Sequence, residues 1–220
     1  KRDSATTVED YKKIGILPES LRNYLLRLGW SYKDKEIFTL KESIELFNLE
    51  GIGKSPSKLD MDRVLSINET YIKNLNKNTL FNYFALYVTN YKEKINDISL
   101  NKIKNNFSIF KNKAKTLEDI FNNTQFIFNY KKINFEKEIN DSQKKLLNLF
   151  LEKIRPLQDH EFDKIKTIIE DILNEKKIKF KDFGQPVRIV LTGTKFAPSI
   201  NEIIASLGIE ETKKRLSLYL

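Results

Sequence analysis

Two aspartates and a lone histidine are the side chains of this sequence that could carry acid–base chemistry. Asp60 and Asp62 stand close enough for a pair of carboxylates that share one proton. They also stand at the start of a predicted helix, where aspartate accepts hydrogen bonds from free backbone amides, so we interpret them as caps. His160 lies between Asp159 and Glu161, and we interpret it as a solvated residue at a helix start. No catalytic residue is therefore predicted in this chain.

The segment 51–55, Gly-Ile-Gly-Lys-Ser, superficially resembles a loop that binds phosphate. It lacks the four-residue spacer of G-x-x-x-x-G-K-[ST], and no buried strand precedes it, so we predict an ordinary loop between helices. The sequence contains no cysteine and one histidine. This excludes disulfides, thiolate nucleophiles and zinc sites made of cysteine or of histidine alone, and we predict no metal site.

Positive charge is the chemical property that the chain has in excess. Lysine and arginine number 39 against 30 acidic residues, which gives a net charge of +9. Clustered cations bind RNA by releasing condensed counterions, but enrichment in Lys, Asn and Ile can also reflect nucleotide bias in a gene. Charge alone does not separate these explanations. No apolar run approaches the roughly 20 residues of a membrane span, and no signal-peptide core begins the sequence. We expect a soluble, cytoplasmic protein.

The elements that would position any site are predicted to be helices, because glycine and proline number only 7 and 5 and polar caps precede periodic apolar runs. Thr6 and Thr39 are expected to open helices through capping boxes with Glu9 and Glu42. One further helix is predicted to begin at Pro18 and to end at a left-handed Gly29, and another to begin after Asp60. Helices are also predicted at 78–92, 98–112, 117–130, 141–154 and 160–174. Beyond a turn-rich stretch from Lys179 to Pro186, short helices are predicted after Pro186 and after Pro198.

Blocks of motif-like sequence follow one another along the whole chain. The weaker blocks are 36–38, 54–60, 65–72 and 113–117, and the most distinctive are 1–11, 15–21 with 23–31, 185–193, and 197–200 with 203–208. Together they resemble bacterial glutamyl-tRNA synthetases. In that family, the first block begins inside the K-[LM]-S-K-R loop of class I synthetases, and the last two correspond to P-L-R-x-A-L-T-G and P-x-L-x-E-[LI]-L-x-x-L-G. The resemblance implies an enzyme that joins glutamate to tRNA(Glu) with ATP, through glutamyl-adenylate.

The resemblance also implies an organisation for the all-α chain. Residues 1–75 would form a stem-contact subdomain, and 76–154 and 155–220 two helical anticodon-binding subdomains. The chain would be a C-terminal fragment without the catalytic Rossmann-type domain, so we expect it to be inactive alone. Glutamate, ATP and accompanying magnesium would bind the missing domain, and no cofactor would be held stably here. The family's members are generally monomers, and we expect the same. The alternative is a non-catalytic helical RNA-binding or scaffold module unrelated to aminoacylation.

Site residues follow from the motifs that match. Lys1 and Arg2 match the signature loop, in which lysine stabilises the ATP phosphates as charge develops. Arg188 matches the arginine of the P-L-R motif, which contacts an anticodon base in the family. Pro198 and Ile200 match the P-x-L turn and would offer a base an apolar surface.

Five further basic positions are weaker candidates for RNA contacts or are not candidates at all. Lys113 and Lys115 match the R-x-K-T-L helix start. Lysine replaces the family's arginine at 113 and cannot provide bidentate base recognition. The basic run 213–215, Lys-Lys-Arg, is interpreted as a solvated helix face.

Overall fold

The structure is a computed structural model that describes residues 7–54, 58–112, 114–130, 139–158, 161, 163–195 and 197–219. Within these ranges every regular secondary-structure element is an α-helix, and β-structure is limited to isolated bridges. The all-α prediction is confirmed. None of the helices in these ranges is long and apolar enough to cross a membrane. In chain order the helices are α1 (Val8–Lys13), α2 (Pro18–Gly29), α3 (Leu40–Leu46), α4 (Met61–Asn74), α5 (Lys77–Tyr91), α6 (Asp97–Asn105), α7 (Phe107–Lys111), α8 (Leu117–Phe128), α9 (Asp141–Ile154), α10 (Lys164–Lys176), α11 (Phe180–Thr192), α12 (Ile200–Leu207) and α13 (Ile209–Ser217).

Two compact units divide the chain. Unit 1 comprises Lys1–Lys94 and Phe110–Asn122, and unit 2 comprises Ile95–Ile109 and Asn123–Leu220. Each unit is therefore made of two separate stretches of sequence. The boundaries between the units do not fall at residues 75 and 155, and the division into three subdomains stays a prediction about finer organisation.

The core of unit 1 forms where α2 packs against α4. The buried apolar side chains that these two helices contribute to this core cluster are Leu21, Tyr24, Val64 and Ile67, at the spacing that places them on one helix face. Asp60 caps α4, and its carboxylate accepts hydrogen bonds from the backbone amides of Asp62 and Arg63. The predicted role of Asp60 as a cap is confirmed, and that carboxylate is already occupied.

A turn in unit 1 joins distant parts of the sequence. Gly15 has φ of 81°, and a Cβ there would lie 2.7 Å from the backbone nitrogens of Leu117 and Glu118. The amide of Leu117 donates to the carbonyl of Gly15 at 3.0 Å. Asn68, which is fully buried, accepts from the amide of Leu17 at 2.9 Å and donates to the carbonyls of Gly15 and Lys115 at 3.4 and 2.6 Å. Glycine is therefore required by both the backbone angle and the close approach.

Two predicted helix ends are wrong in detail. α1 is capped by Thr7 and not by Thr6, which lies outside the described residues, because the carboxylate that reaches back is that of Asp10. α2 does end at Gly29, but not with a left-handed residue, since the chain continues directly into an extended Trp30. The buried Trp30 ring explains this, because its Nε1 donates to the carbonyl of Asn48 at 3.1 Å and draws the chain away from the helix. The capping box at Thr39 is confirmed.

Unit 2 is organised around α9, which contacts α10, α11 and α13. The rings of Phe150 and Phe183 meet edge to face at 5.3 Å between centroids in its core. The predicted turn-rich stretch from Lys179 to Pro186 is wrong, since α11 runs through it with Pro186 inside the helix. Gly184 and Pro186 are both buried, so packing against the core outweighs the low helix propensity of the two residues.

Candidate nucleic-acid interface

Arg188 lies on α11 with its guanidinium fixed from two sides. Its Nε donates to the carbonyl oxygen of Pro198 at 3.1 Å. The guanidinium carbon also lies 5.9 Å from the centre of the Phe180 ring, on the same helix. The side chain is half-buried and forms no salt bridge within the described part of the chain. Because the remaining guanidinium nitrogens keep a planar donor fork, Arg188 can bind a base edge or a phosphate.

Pro198 and Ile200 have different surroundings, although they are two residues apart. Pro198 is half-buried and supplies the carbonyl that holds Arg188, so the structure brings these two predicted residues together. Ile200 begins α12 and is only 1% exposed. Its side chain belongs to the core and leaves a base almost no surface to stack on, so Ile200 is not among the proposed contacts.

Phe180 is a candidate contact that the sequence did not reveal. Its ring is 45% exposed and crosses the helix over Gly184, where a Cβ would approach the ring to 3.0 Å. Lys177, Lys179 and Lys181 surround Phe180 in sequence and are all exposed. An aromatic ring among cations is the pattern of a surface that stacks a base and holds its phosphates. The four-residue spacing of Phe180 and Gly184 was the available signal, but the glycine was interpreted as part of a turn.

A cleft of about 310 Å³ adjoins this aromatic ring. Its walls include Phe180, residues of α10 and the first residues of α12. The Oδ1 atom of Asn201 is buried beside it and has no hydrogen-bond partner among the described residues. Lys166 and Glu170, which also line the cleft, are 3.9 Å apart and balance each other's charge. The cleft therefore offers an apolar ring and an unused amide oxygen, while the positive charge comes from the lysines around Phe180.

Lys115 is the predicted contact of unit 1 that the structure describes, whereas Lys113 lies outside the described residues. The Lys115 side chain is exposed, and its backbone is fixed by bonds to Asp119 and Asn68. The pKa of Glu69 is lowered, first by a hydrogen bond from Lys73 and also by the charge of Lys115. The ammonium group of Lys115 is thus part of a small charged cluster on the surface of unit 1.

The basic run at 213–215 is not the solvated face that the sequence predicts. Arg215 is 3% exposed, and its Nη1 donates to the carbonyls of Phe126 at 2.8 Å and Leu191 at 2.6 Å. Its Nε donates to Glu211, and its guanidinium carbon lies 3.9 Å from the centre of the Tyr130 ring. The interpretation fails because α13 directs this arginine towards the carbonyl-rich ends of two other helices, where a cation is favoured.

Three further residues singled out in the sequence lie outside the part of the chain that the structure describes. Lys1 and Arg2, the expected ATP contacts, lie outside the described residues, as does His160. Within the ranges that the structure describes, no group of three or more His, Cys, Asp or Glu side chains could hold a metal ion.

Family models match nearly the whole chain. Residues 77–220 match the family described as "Anticodon binding domain", and residues 1–66 match the one described as "tRNA synthetases class I (E and Q), catalytic domain".

Curated relatives and solved structures point in the same direction. A glutamate–tRNA ligase of Pelagibacter ubique is 54% identical over 98% of this chain and 47% of its own length. Glutamate–tRNA ligase 2 of a Nitratiruptor species is 36% identical over 98% of this chain and 46% of its own length. The chain thus spans about half the length of these relatives. The crystal structure of a glutamate tRNA ligase from Elizabethkingia meningosepticum shares the fold, with a TM-score of 0.79 and 23% identity over 95% of this chain and 42% of that one.

Proposed function

Because the chain belongs to the anticodon-binding-domain family and is homologous to bacterial glutamate–tRNA ligases, we propose that it binds the anticodon arm of tRNA(Glu). The observation that carries this proposal is Arg188, whose guanidinium is fixed by Pro198 and Phe180 while its donor fork remains available. Unpaired RNA bases are recognised by such forks and by stacking on aromatic side chains. The exposed lysines on either side of Phe180 in sequence would bind the adjoining phosphates.

The proposal extends to the protein that carries this chain. It would be a glutamate–tRNA ligase that activates glutamate with ATP and transfers it to tRNA(Glu), as the names of the relatives suggest. Lys1 and Arg2 would contact the ATP phosphates there, with magnesium accompanying the nucleotide. We propose that the enzyme works in the cytoplasm, and the monomeric state remains a prediction from the sequence.

Arg188→Ala is expected to weaken binding of tRNA(Glu) by about 1–3 kcal/mol, because a fork that reads a base edge is lost. Arg188→Lys is expected to restore only part of this, since lysine keeps the charge and loses the bidentate geometry. The measurement is the dissociation constant at fixed salt, for tRNA(Glu) and for a transcript with a substituted anticodon.

Arg155→Ala is the matched control for the loss of one positive charge, because Arg155 is an exposed arginine of the same unit. Its effect is expected to be small and equal for both transcripts. If wild-type protein bound both transcripts equally well, anticodon reading would be contradicted. A loss in Arg188→Ala that is the same for both transcripts would reduce Arg188 to a phosphate contact.

A further inference from the structure

A second cavity, of about 230 Å³, belongs wholly to unit 1. It is enclosed by α1, the first turns of α2 and one face of α5. Val8 and Leu86 line it while remaining 60% and 61% exposed, so apolar side chains form its open side. A cavity of this size is smaller than a typical site for a drug-sized ligand and suits a single planar group.

Tyrosine rings make up much of the wall. Four of the nine tyrosines of the chain line this cavity, at 11, 83, 87 and 91. The last three lie four residues apart and therefore share one face of α5. Tyr83 and Tyr91 are half-buried and provide ring surface on which another ring can stack, whereas Tyr87 is 3% exposed and packs against Tyr91 at 5.6 Å between centroids.

The hydroxyl groups of these tyrosines differ in one important respect. The α5 hydroxyls are engaged, with Tyr83 donating to Glu19 at 2.6 Å, Tyr87 to the carbonyl of Lys13 at 3.0 Å and Tyr91 to Glu9 at 2.7 Å. The hydrogen bond to Glu19 is the main reason that the pKa of Tyr83 is raised to about 12. These three hydroxyl groups are thus used in hydrogen bonds within the protein, and the bonds fix the orientation of the rings.

Tyr11 is the exception. Its side chain is 6% exposed, and its hydroxyl has no hydrogen-bond partner within the described ranges. Burial raises the pKa of this phenol, so the group stays neutral and can both donate and accept. A buried hydroxyl without a partner destabilises the protein, and a ligand atom in the cavity could remove that cost. Asn90 also lines the cavity, and its exposed amide has no recorded partner among the described residues.

We propose that this cavity binds one unpaired RNA base, which stacks on the tyrosine rings and bonds through its edge to Tyr11 and Asn90. The inference rests on the proposed binding of tRNA. Hydroxyl and amide groups match the mixed donors and acceptors of a base edge, and aromatic platforms stack bases of any sequence. Lys12 and Lys13 are exposed beside the cavity on α1, where they can attract the phosphates on either side of the base.

Leu86→Trp is the first test, because an indole at the open side occupies the space that a base would need. Leu25→Trp is its control, since Leu25 is a half-exposed leucine on a helix of the same unit and does not line the cavity. The full chain is titrated with tRNA(Glu) transcript, and the accessibility of every unpaired base is mapped by chemical probing. Loss of one stacked base is expected to weaken binding about 5- to 100-fold in Leu86→Trp. One base outside the anticodon should become reactive, while Leu25→Trp behaves as wild type.

Tyr11→Phe is the second test, because it removes only the hydroxyl. The variant is expected to unfold at a higher urea concentration than wild type, since an unpaired buried group is lost, and yet to bind the transcript more weakly. If Tyr11 had only a structural role, Tyr11→Phe would not weaken RNA binding while it raised the urea concentration needed for unfolding.

The proposal is overturned if Leu86→Trp, folded by circular dichroism, binds as wild type and no base changes its reactivity. It is equally overturned if Tyr11→Phe leaves RNA affinity unchanged. Failure of anticodon discrimination alone would instead contradict the proposed function, since the base proposed for this cavity lies outside the anticodon and is detected by its own change in reactivity.

Discussion

Arg215→Met is expected to lower the free energy of unfolding by about 3–5 kcal/mol, the largest effect of any substitution considered. Methionine keeps much of the volume and none of the donors. The carbonyls of Phe126 and Leu191 would lose a partner in a buried site, and Glu211 would lose its cation. The ring of Tyr130 would also lose the guanidinium at its face. Urea denaturation followed by circular dichroism measures the change.

Lys214→Met provides the comparison, because Lys214 is the exposed neighbour on the same helix. Its effect is expected to stay within about 0.5 kcal/mol, as for most surface substitutions. If both variants unfolded at the same urea concentration, Arg215 would be a surface charge, as the sequence alone suggests, and the buried arrangement would be wrong.

Asn68→Leu is expected to cost about 2–4 kcal/mol of stability, the second largest effect. Leucine has the same branching and the same number of side-chain heavy atoms, although its methyl groups are bulkier, and three hydrogen bonds disappear. The amide of Leu17 would be left without its acceptor in the core, and the carbonyls of Gly15 and Lys115 would lose their donor. Denaturant titration of the purified variant gives the free energy directly.

Asn74→Leu is the matched change on the same helix, at an exposed asparagine. It is expected to be nearly neutral. A loss of stability of similar size in both variants would mean that helix α4 tolerates leucine poorly for some other reason. The hydrogen bonds of Asn68 would then not be responsible.

Local signals in the sequence predicted much of the fold because they act within a few residues. The caps at Thr39 and Asp60 and the helix that begins at Pro18 are of this kind. The first half of α11 was missed because Gly184 and Pro186 oppose a helix locally, and only burial against the rest of unit 2 reverses that preference. Packing between segments far apart in sequence leaves no comparable local trace.

The candidate site divides in the same way. Arg188 and Pro198 were predicted from a family motif, and the structure adds the bond between them. Phe180 was not predicted because its exposure depends on the first half of α11, which the sequence did not indicate. Arg215 was misjudged for a physical reason, since a run of charges along a chain does not reveal which member faces inwards. Charge composition counts cations, whereas their availability to RNA depends on what they already bind.

The discontinuity of unit 1 has a consequence during synthesis on the ribosome. Residues up to 94 cannot complete their packing until 110–122 have left the exit tunnel, because Leu117 bonds to Gly15 and Asn68 to Lys115. Translation proceeds at about 5–20 residues per second, so the nascent chain waits for seconds before the bonds at Gly15 and Asn68 can form. Residues 95–109 emerge within that interval and must wait in turn for the rest of unit 2. The interleaved connectivity thus requires residues up to 94 to remain incompletely packed while 95–122 are being synthesised.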